Sequence, residues 1–383
     1  MRIIYFTRDY TTHDRRFLAA LANTEHKVYY LRLERRGQQL EDRPLPSQIE
    51  LLTWAGGGKP AQFSDGPRLY SSLKRVIRSL KPDLIQAGPI QSSALLSALA
   101  GFHPLVSTSW GSDLLRDAER SAWYRWATRY TLRHSDALVA DCETVRRKAV
   151  TFGMPAEKIV TFPWGVDLQH FSPDGASFPG WGAKDPQEQN SQESRAPFVI
   201  LSTRSWEPVY GVDVLARGFV KAAQQNPNLR LVMLGGGSQA ALLRQIFAQG
   251  AVQEQVHFPG QIGQKDLPRY CRSADLYLSA SRSDGTSISL LEAIACGTPV
   301  LVSDIPGNRE WVQPGVQGWW FADGDPNALA AAILNAVQAR DKLPEMGRAA
   351  RQLAEQRANW EMNFQCLLKA YEIAARNKFT KHG

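Results

Sequence analysis

Residues 283–300 read Ser283-Asp284-Gly285-Thr286-Ser287-Ile288-Ser289-Leu290-Leu291-Glu292-Ala293-Ile294-Ala295-Cys296-Gly297-Thr298-Pro299-Val300. A loop of small residues here leads into an apolar helix, and two carboxylates stand eight residues apart, Asp284 in the loop and Glu292 in the helix's opening turns. Because Gly and Ser leave backbone N–H groups free and a helix N-terminus carries partial positive charge, such a turn can hold phosphate oxygens without a metal. The stretch therefore predicts an anion-binding loop of an α/β fold.

Short apolar, β-branched runs recur on both sides of this stretch, with helical segments between them. Runs of this length that alternate with helices predict βαβ units, which build parallel sheets covered on both faces. The runs of the first half are 3–7, 27–33, 49–54, 83–87, 104–110, 136–141 and 158–162. Those of the second half are 198–203, 229–234, 255–258, 274–278, 299–303 and 319–321. The sequence thus predicts two doubly wound, Rossmann-like α/β domains.

The predicted domain limits follow from composition. Residues 1–171 form the first domain and 198–355 the second, and 172–197 form a linker rich in Pro, Gly, Gln, Asn and Ser, a composition that buries little apolar surface. A long helical pattern over 345–375 predicts a closing helix within 356–383. A length of 383 residues agrees with two domains, since one domain usually takes roughly 100 to 200.

Composition also limits the function classes. Hydrophobic residues make up 43% and charged residues 21%, values of a folded globular enzyme. The first residues lack a signal-type apolar region, and no apolar stretch approaches the roughly 18 residues that span a bilayer, so we expect a cytoplasmic protein. Four dispersed cysteines agree with reduced thiols, and the net charge of +8 favours anionic partners.

Three further motifs occur in order along the chain: Leu234-Gly235-Gly236-Gly237-Ser238, Phe258-Pro259-Gly260-Gln261-Ile262, and the strand and turn of 158–171 that ends in Gly165-Val166-Asp167 and Phe171. With the stretch at 283–300 they resemble the family-4 retaining glycosyltransferases (glycosyl transferases group 1), in which two acidic residues with seven between them bracket a nucleotide-sugar. The resemblance implies the GT-B fold, two Rossmann-like domains facing across a cleft, with the last helix crossing back to the first domain. The family usually carries Glu where this chain has Asp284.

The resemblance also implies roles for residues of the second domain. Arg204 and Asp284 would be catalytic, Arg204 on the diphosphate and Asp284 on the sugar hydroxyls, while Glu292 would accept the ribose hydroxyls. The family's lysine partner of Arg204 is replaced by Tyr210, and Arg282 is a candidate substitute. The remaining predicted donor-binding residues, which would act mainly through backbone groups, are Gly285, Thr286, Ser287, Ile288, Ser289, Gly260 and Gln261.

In the first domain, Ser109-Trp110-Gly111-Ser112-Asp113 follows a predicted strand and resembles the family's His-Gly-Ser-Asp loop. Trp110 stands where His is frequent, so no general base is available at that position. Asp113 would either orient a substrate, as a catalytic residue, or cap the following helix. His13, Asp14 and Trp110 are the predicted acceptor-binding residues.

No cofactor or metal is expected. Asp323-Gly324-Asp325 has the spacing of a metal-binding DxD motif but lies in a turn before Pro326, and no Gly-x-Gly-x-x-Gly follows the first strand. The segments 73–81 and 120–133 combine cations with aromatic or aliphatic residues, a pattern of core-facing helices with solvated arginines or of helices that lie on an anionic membrane. The core-facing arrangement is the commoner one, contact at the inner face of the plasma membrane is the alternative, and no nucleic-acid partner is expected.

The predicted function is transfer of a sugar from a nucleotide diphosphate sugar to a hydroxyl of a lipid-linked, polysaccharide or small-molecule acceptor. Two alternatives share the architecture. A non-hydrolysing sugar-nucleotide epimerase would invert a sugar centre without an acceptor. A non-catalytic binding or scaffold protein is suggested by Tyr210 and Asp284, which replace the family's residues.

Overall fold

The computed structural model describes residues 1–35, 41, 43–177 and 196–380, with the side chains of 377–380 left out. The chain divides into two compact units, Met1–Pro163 with Met362–Gly383, and Trp164–Glu361. Most of the predicted linker, residues 178–195, lies outside the described residues.

The first unit contains a parallel sheet whose strand order, over the described residues, is β3-β2-β1-β4-β5-β6-β7. The strands are β1 (Arg2–Arg8), β2 (Lys27–Leu33), β3 (Glu50–Leu51), β4 (Leu84–Gly88), β5 (Leu105–Thr108), β6 (Ala137–Ala140) and β7 (Ile159–Thr161). The helices are α1 (Thr12–Ala22), α2 (Gly66–Leu80), α3 (Leu95–Leu99), α4 (Ser112–Leu115), α5 (Ala122–Arg133), α6 (Glu143–Thr151) and, at the other end of the chain, α14 (Trp360–Thr380). A π-helical turn, Ile90–Ala94, precedes α3.

The second unit contains a parallel sheet whose described strands follow the order β10-β9-β8-β11-β12-β13. They are β8 (Phe198–Ser202), β9 (Leu229–Leu234), β10 (Val256–Gly260), β11 (Leu276–Ser279), β12 (Val300–Ser303) and β13 (Gly318–Phe321). The helices are α7 (Val212–Ala223), α8 (Ala240–Gln249), α9 (Leu267–Ser273), α10 (Ile288–Ala295), α11 (Pro306–Arg309), α12 (Pro326–Gln338) and α13 (Leu343–Arg357).

Both sheets are covered by helices on two faces, and the strands show why. Successive side chains of a strand point to opposite faces. Phe198 and Ile200 of β8 accordingly pack into one hydrophobic cluster, and Val199 and Leu201 pack into another on the opposite face. A strand buried on both faces reads as a continuous apolar run, which is the pattern of the sequence. The predicted α/β fold with two doubly wound sheets is confirmed.

The helical pattern over 345–375 forms two helices, α13 and α14, because the chain leaves helical geometry at Ala358 and Asn359. There it forms a bridge with Val166: the Val166 N–H donates to the Ala358 carbonyl at 2.7 Å, and the Trp360 N–H donates to the Val166 carbonyl at 3.2 Å. Asn359 then caps α14 through its side-chain oxygen, 3.0 Å from the Glu361 nitrogen. Tertiary pairing with a segment almost 200 residues away therefore divides what sequence periodicity reads as one helix.

Among the helices in the described part of the chain, none is both long enough and apolar enough to cross a membrane.

Candidate functional site

The site lies where the strand order of the second sheet reverses. Strands β8 and β11 are neighbours, but one connects onward to β9 on one side and the other to β12 on the opposite side. In open parallel sheets, the loops that leave the carboxyl ends of two such strands diverge and open a crevice. Arg204 follows β8 and the loop 280–287 follows β11. Topology thus brings together two segments about 80 residues apart.

Arg204 is the centre of this crevice. Its Nη1 donates to Ser287 Oγ at 2.8 Å and to Ser289 Oγ at 2.9 Å, and its Nη2 lies 2.6 Å from Asp284 Oδ2. The Arg204 side chain is only 10% exposed. Its Nε is buried and has no hydrogen-bond partner among the described residues. The guanidinium is therefore fixed in orientation and keeps unused donor capacity.

The partner carboxylate, Asp284, is 17% exposed. Burial raises the pKa of Asp284, and the Arg204 guanidinium acts in the opposite direction. Burial by itself lowers the pKa of Arg204, but attraction to Asp284 and nearby acidic groups outweighs it, so the pKa of Arg204 is raised. The sequence analysis predicted that Asp284 binds the sugar hydroxyls. In this structure its Oδ2 lies on the cation.

Helix α10 begins at the same place. Ser287 is its N-cap, and its Oγ accepts from the Leu290 N–H at 3.4 Å as well as from Arg204. Ser289 also accepts from the Tyr277 hydroxyl at 2.9 Å, which ties the first turn of the helix to β11. The positive end of the helix dipole and a guanidinium therefore act at one point, a combination that favours a bound anion.

Glu292 follows on α10 and is 4% exposed. Its Oε1 accepts from Gln264 Nε2 at 3.2 Å. Gln264 belongs to the loop between β10 and α9, and its carbonyl lies 2.8 Å from His170 Nε2. The Glu292 carboxylate, predicted to bind ribose, is thus positioned by the Gln264 side-chain amide, and the backbone of Gln264 is positioned by His170.

Tyr210 and Gly211 close the loop after β8. The Tyr210 ring lies beneath the guanidinium, with Arg204 Cζ 4.0 Å from the ring centroid, a cation–π arrangement. Gly211 has φ +57°, and a Cβ there would lie 2.0 Å from the Ala280 carbonyl oxygen, so only glycine fits. The predicted substitute, Arg282, does not join Arg204: its Nη2 lies 3.5 Å from Asp213 on α7 and its side chain is 43% exposed.

The glycine turn after β9 lies beside Arg204's loop. Glu207 accepts from the Ser238 N–H at 3.1 Å and from Ser238 Oγ at 2.5 Å. Gly237, at φ +156°, would place a Cβ 2.6 Å from the Trp206 carbonyl oxygen. The Gly260 carbonyl accepts from the Gly235 N–H at 2.7 Å, and Gln261 beside it is exposed. Gly260 and Gln261, predicted to bind the donor through backbone groups, thus lie at the carboxyl end of the edge strand β10.

Sequence reasoning missed two residues here. Gln264 carried no signal, because its importance lies in reaching Glu292 from another element. Gly307, the second residue of α11, lies against the loop: a Cβ there would lie 2.4 Å from the Asp284 carbonyl oxygen and 2.6 Å from that of Gly285. A glycine directly after Pro306, in the loop after a buried strand, is the sequence signal that could have indicated this close approach.

In the first unit, the predicted residues divide into buried and accessible ones. Asp14, 1% exposed, completes a capping box with Thr11 and accepts from the Tyr5 hydroxyl at 3.1 Å. Burial raises the pKa of Asp14 to about 6. This carboxyl organises the start of α1 and does not face solvent as an acceptor-binding group would. The His13 ring, by contrast, lies against the Trp110 ring with centroids 5.6 Å apart, and both are half-buried.

Asp113 is 3% exposed and organises its own loop. Its Oδ1 accepts from Ser109 Oγ at 2.6 Å, from the Trp110 N–H at 3.1 Å and from the Leu114 N–H at 3.0 Å. Its Oδ2 accepts from the Ile90 N–H at 3.0 Å. Burial raises the pKa of Asp113, while the bond from Ser109 opposes that shift. Asp113 lies inside α4, whose N-cap is Gly111, so these contacts hold the loop 109–114 against Ile90 and do not cap the helix.

The DxD spacing has a structural use. Asp325 is the N-cap of α12, and its Oδ1 accepts from the N–H groups of Asn327 at 2.7 Å and Ala328 at 3.1 Å. Over the described ranges, no three His, Cys, Asp or Glu side chains gather in a geometry that could hold a metal ion.

Fold and site together define a class. A doubly wound sheet that presents a guanidinium, a capped helix N-terminus and a buried carboxylate at its strand-order reversal is an α/β unit whose sheet edge favours a bound anion.

The family follows from two sequence comparisons. Residues 11–170 match the family model described as Glycosyltransferase Family 4, and residues 183–353 match the model described as Glycosyl transferases group 1. The two matches divide most of the chain between them. The chain belongs to the family-4 glycosyltransferases.

Named relatives agree. The chain is 27% identical over 305 residues to a GDP-mannose-dependent alpha-(1-6)-phosphatidylinositol monomannoside mannosyltransferase of Mycolicibacterium smegmatis, covering 77% of each chain. It is 27% identical to the amylovoran biosynthesis glycosyltransferase AmsK of Erwinia amylovora, covering 60% of this chain and 54% of that protein. For several of the curated relatives it matches, the chain spans only about half of their length.

Solved structures share the fold. Anabaena HepE in complex with UDP-glucose superposes with a TM-score of 0.76 at 18% identity, covering 97% of this chain and 99% of that one. Sucrose-phosphate synthase of Thermosynechococcus elongatus superposes with a TM-score of 0.78 at 19% identity, covering 100% of both chains. These likenesses establish the GT-B fold that the sequence predicted.

Proposed function

We propose that the protein is a retaining, metal-independent glycosyltransferase that transfers a sugar from a nucleoside diphosphate sugar to an acceptor hydroxyl. The acceptor class follows its relatives, whose names give phosphatidylinositol monomannoside for the Mycolicibacterium protein, D-inositol 3-phosphate for others and amylovoran biosynthesis for AmsK. A lipid-linked, polysaccharide or small-molecule hydroxyl fits all of them. The donor, a nucleotide diphosphate sugar, fits the UDP-glucose bound to HepE.

One observation carries the proposal: the Arg204 guanidinium is fixed at the N-terminus of α10. This helix begins at Ile288, and the buried Glu292 follows four residues later. A diphosphate at the helix N-terminus would meet the guanidinium and backbone N–H groups. Glu292, one turn further along α10, would then face the sugar carbons of the nucleoside, where a carboxylate accepts two hydroxyls. The diphosphate thus meets Arg204 and the N-terminus of α10, and the nucleoside sugar meets Glu292 on the same helix.

The reaction that this site supports breaks the bond between the sugar's anomeric carbon and the phosphate oxygen. The acceptor oxygen forms its new bond on the same face, and its proton passes to the departing phosphate. Negative charge grows on the phosphate as the bond breaks, so a fixed guanidinium and N–H groups stabilise the transition state more than the ground state. Trp110, which replaces the family's frequent His, has no basic atom, and this mechanism needs none there.

Asp284 has two states in this scheme. In the structure its Oδ2 is paired with Arg204. When phosphate oxygens take over the guanidinium, the carboxylate is released toward the sugar, where it would accept hydroxyls. The pair therefore keeps the cation oriented and its charge balanced until the donor arrives.

The test is a thermal-shift panel with UDP-, GDP-, ADP- and dTDP-sugars, followed by product analysis with the best donor. A ligand that binds only the folded state raises its melting temperature. Glu292→Ala should lose both the shift and transfer while its circular dichroism stays native. Glu254→Gln, an exposed glutamate after α8, serves as the matched control and should keep both. Wild-type turnover in Glu292→Ala would reject the assignment.

A binding or scaffold role is the second candidate, favoured by Tyr210, whose ring occupies the underside of Arg204 where the family has a lysine. Such a protein would still shift with nucleotide but would form no product. The epimerase alternative is separated by the product itself, since it would return an inverted sugar nucleotide without any acceptor.

A further inference from the structure

A row of aromatic rings runs along the outside of α5 and continues to a neighbouring segment. Trp123 and Trp126 have centroids 4.8 Å apart, Trp126 stacks on Tyr130 at 5.4 Å, and Tyr130 stacks on His134 at 4.1 Å. Phe63, from the turn Phe63–Asp65 before α2, meets the Trp123 ring edge-on at 5.4 Å. We call these five residues the aromatic row.

Three rings of the row are exposed although folded proteins usually bury such rings, while Tyr130 and His134 are half-buried. Phe63 is 79% exposed, Trp123 44% and Trp126 43%. The opposite side of α5 provides the packing, since Ala127, Thr128, Thr131 and Leu132 are buried. Contiguous exposed aromatic surface marks an interaction site.

Arginines accompany the row. Arg125, Arg129 and Arg133 are exposed, stand four residues apart on α5, and therefore line one side of the helix beside the rings. None of the three makes an ion pair within the described part of the chain. The nearby acids are already paired: Asp65 with Arg68, Asp117 with Arg116 and Glu119 with Lys148.

We propose that this face docks on an anionic lipid surface, with the aromatic row in the headgroup boundary and the arginine side against lipid phosphates. Helix α5 is buried on one face and carries tryptophans and a line of arginines on the other, with Phe63 beside them. This is the arrangement of an interfacial helix. Because Arg125, Arg129 and Arg133 form no ion pair in the described part of the chain, the face carries positive charge toward solvent that attracts an anionic surface.

Two other occupants fit less well. A second copy of the chain packed face to face would bring the same three arginines against one another, because a two-fold interface uses one patch twice. A glycan would need open ring faces for stacking, whereas Trp126 and Tyr130 cover each other's faces and those of Trp123 and His134.

The experiment is co-flotation of the full chain with vesicles of 70% phosphatidylcholine and 30% phosphatidylglycerol, compared with pure phosphatidylcholine vesicles. The wild type should float with the anionic vesicles and lose binding in high salt, since salt screens the arginine contribution. Arg125→Gln/Arg129→Gln/Arg133→Gln should weaken binding roughly a hundredfold, about fivefold per cation. Trp123→Gln/Trp126→Gln should weaken it at least about tenfold.

Matched controls remove equal charge or apolar surface elsewhere: Arg217→Gln/Lys221→Gln/Arg348→Gln, three exposed cations of the second unit, and Met362→Gln, 66% exposed. Both should float like the wild type. Each variant is used only if its circular dichroism and melting temperature are native. If the Trp123→Gln/Trp126→Gln variant does not fold, the flotation result of the triple arginine variant tests the proposal.

The proposal is overturned if the wild type does not float, or if both row variants float as it does. A wild-type dimer that the tryptophan pair converts to monomer, with flotation unchanged, would assign the face to a second copy. Retardation in polysaccharide gels that the variants abolish, without flotation, would assign it to a glycan. Flotation needs no donor or acceptor, so its failure is separate from failure of the proposed transfer reaction.

Discussion

Replacing Arg204 by lysine tests the site most directly, because it keeps the charge and removes the geometry. The guanidinium reaches three oxygens at once, at 2.8, 2.9 and 2.6 Å, through two different nitrogens. An ammonium is a point charge and cannot reproduce this fork. The variant therefore separates a need for positive charge from a need for a fixed, multiply bonded donor.

The expected loss follows from those contacts. Removing one oriented donor that acts on developing negative charge costs about 10²–10³ in rate, or about 3–4 kcal/mol in transition-state stabilisation. We expect Arg204→Lys to lower kcat/KM by about that factor. The assay is release of nucleoside diphosphate from the sugar nucleotide that shifts the melting temperature most.

Arg204→Met has a further consequence for folding, because it leaves Asp284 without its partner in a site where that side chain is 17% exposed. Breaking a buried pair from one side costs about 3–5 kcal/mol in the free energy of unfolding. Adding Asp284→Asn removes the uncompensated charge, so the double variant should regain most of the stability and none of the activity. Urea unfolding and the same release assay measure the two effects.

Arg309→Lys is the matched control. Arg309 also pairs with an aspartate, Asp304, at 2.5 and 2.8 Å, but its side chain is 56% exposed on the surface. Exposed pairs contribute little, so this variant should change neither stability nor rate appreciably. Wild-type kcat/KM in Arg204→Lys, with Arg309→Lys also unaffected, would refute the role assigned to the guanidinium.

Two other predictions concern groups that tertiary structure buries. Gln264→Leu removes the donor to Glu292, and calorimetry should show roughly 10- to 150-fold weaker binding of a nucleoside diphosphate, since a hydrogen bond to a charged group contributes about 1.5–3 kcal/mol. The loss should vanish for the 2′,3′-dideoxy analogue, and an equal loss for that analogue would contradict a ribose-binding Glu292. For Asp14, a pKa raised from 3.8 to about 6 by burial means that the folded state holds its proton more tightly, so the stability it contributes is full below pH 3.8 and is lost as pH rises through about 6. Relative to Asp14→Asn, the wild type should lose up to about 3 kcal/mol in urea unfolding between pH 4 and 7, while Asp323→Asn, an exposed control, should show no such trend. A pH-independent difference between wild type and Asp14→Asn would count against this account.

The elements of the fold were largely readable from the sequence. A parallel strand buried on both faces reads as a nearly continuous apolar run, so strands such as β8 and β12 can be predicted from the sequence alone. Helix α10 was predicted in the same way, from small residues followed by an apolar run. Such features depend on neighbours within a few residues, which is the range that a sequence pattern reports.

Contacts made across long separations were not readable. The pairing of Asp284 with Arg204 joins residues 80 positions apart, and Gln264 reaches Glu292 from another loop. The break at Ala358 depends on Val166, which no periodicity of the helix itself contains. Burial decided the rest: Asp14 looked like a polar loop residue, and the structure makes it an interior cap.

By itself, then, the sequence determined the two doubly wound sheets, the order of their strands along the chain and the place of the anion-binding turn, because local hydrophobic pattern and turn chemistry specify them. Only the tertiary structure decided which polar groups face one another, which are withdrawn from solvent, and which aromatic rings remain exposed. Those properties depend on distances between chain segments that the linear order leaves undefined.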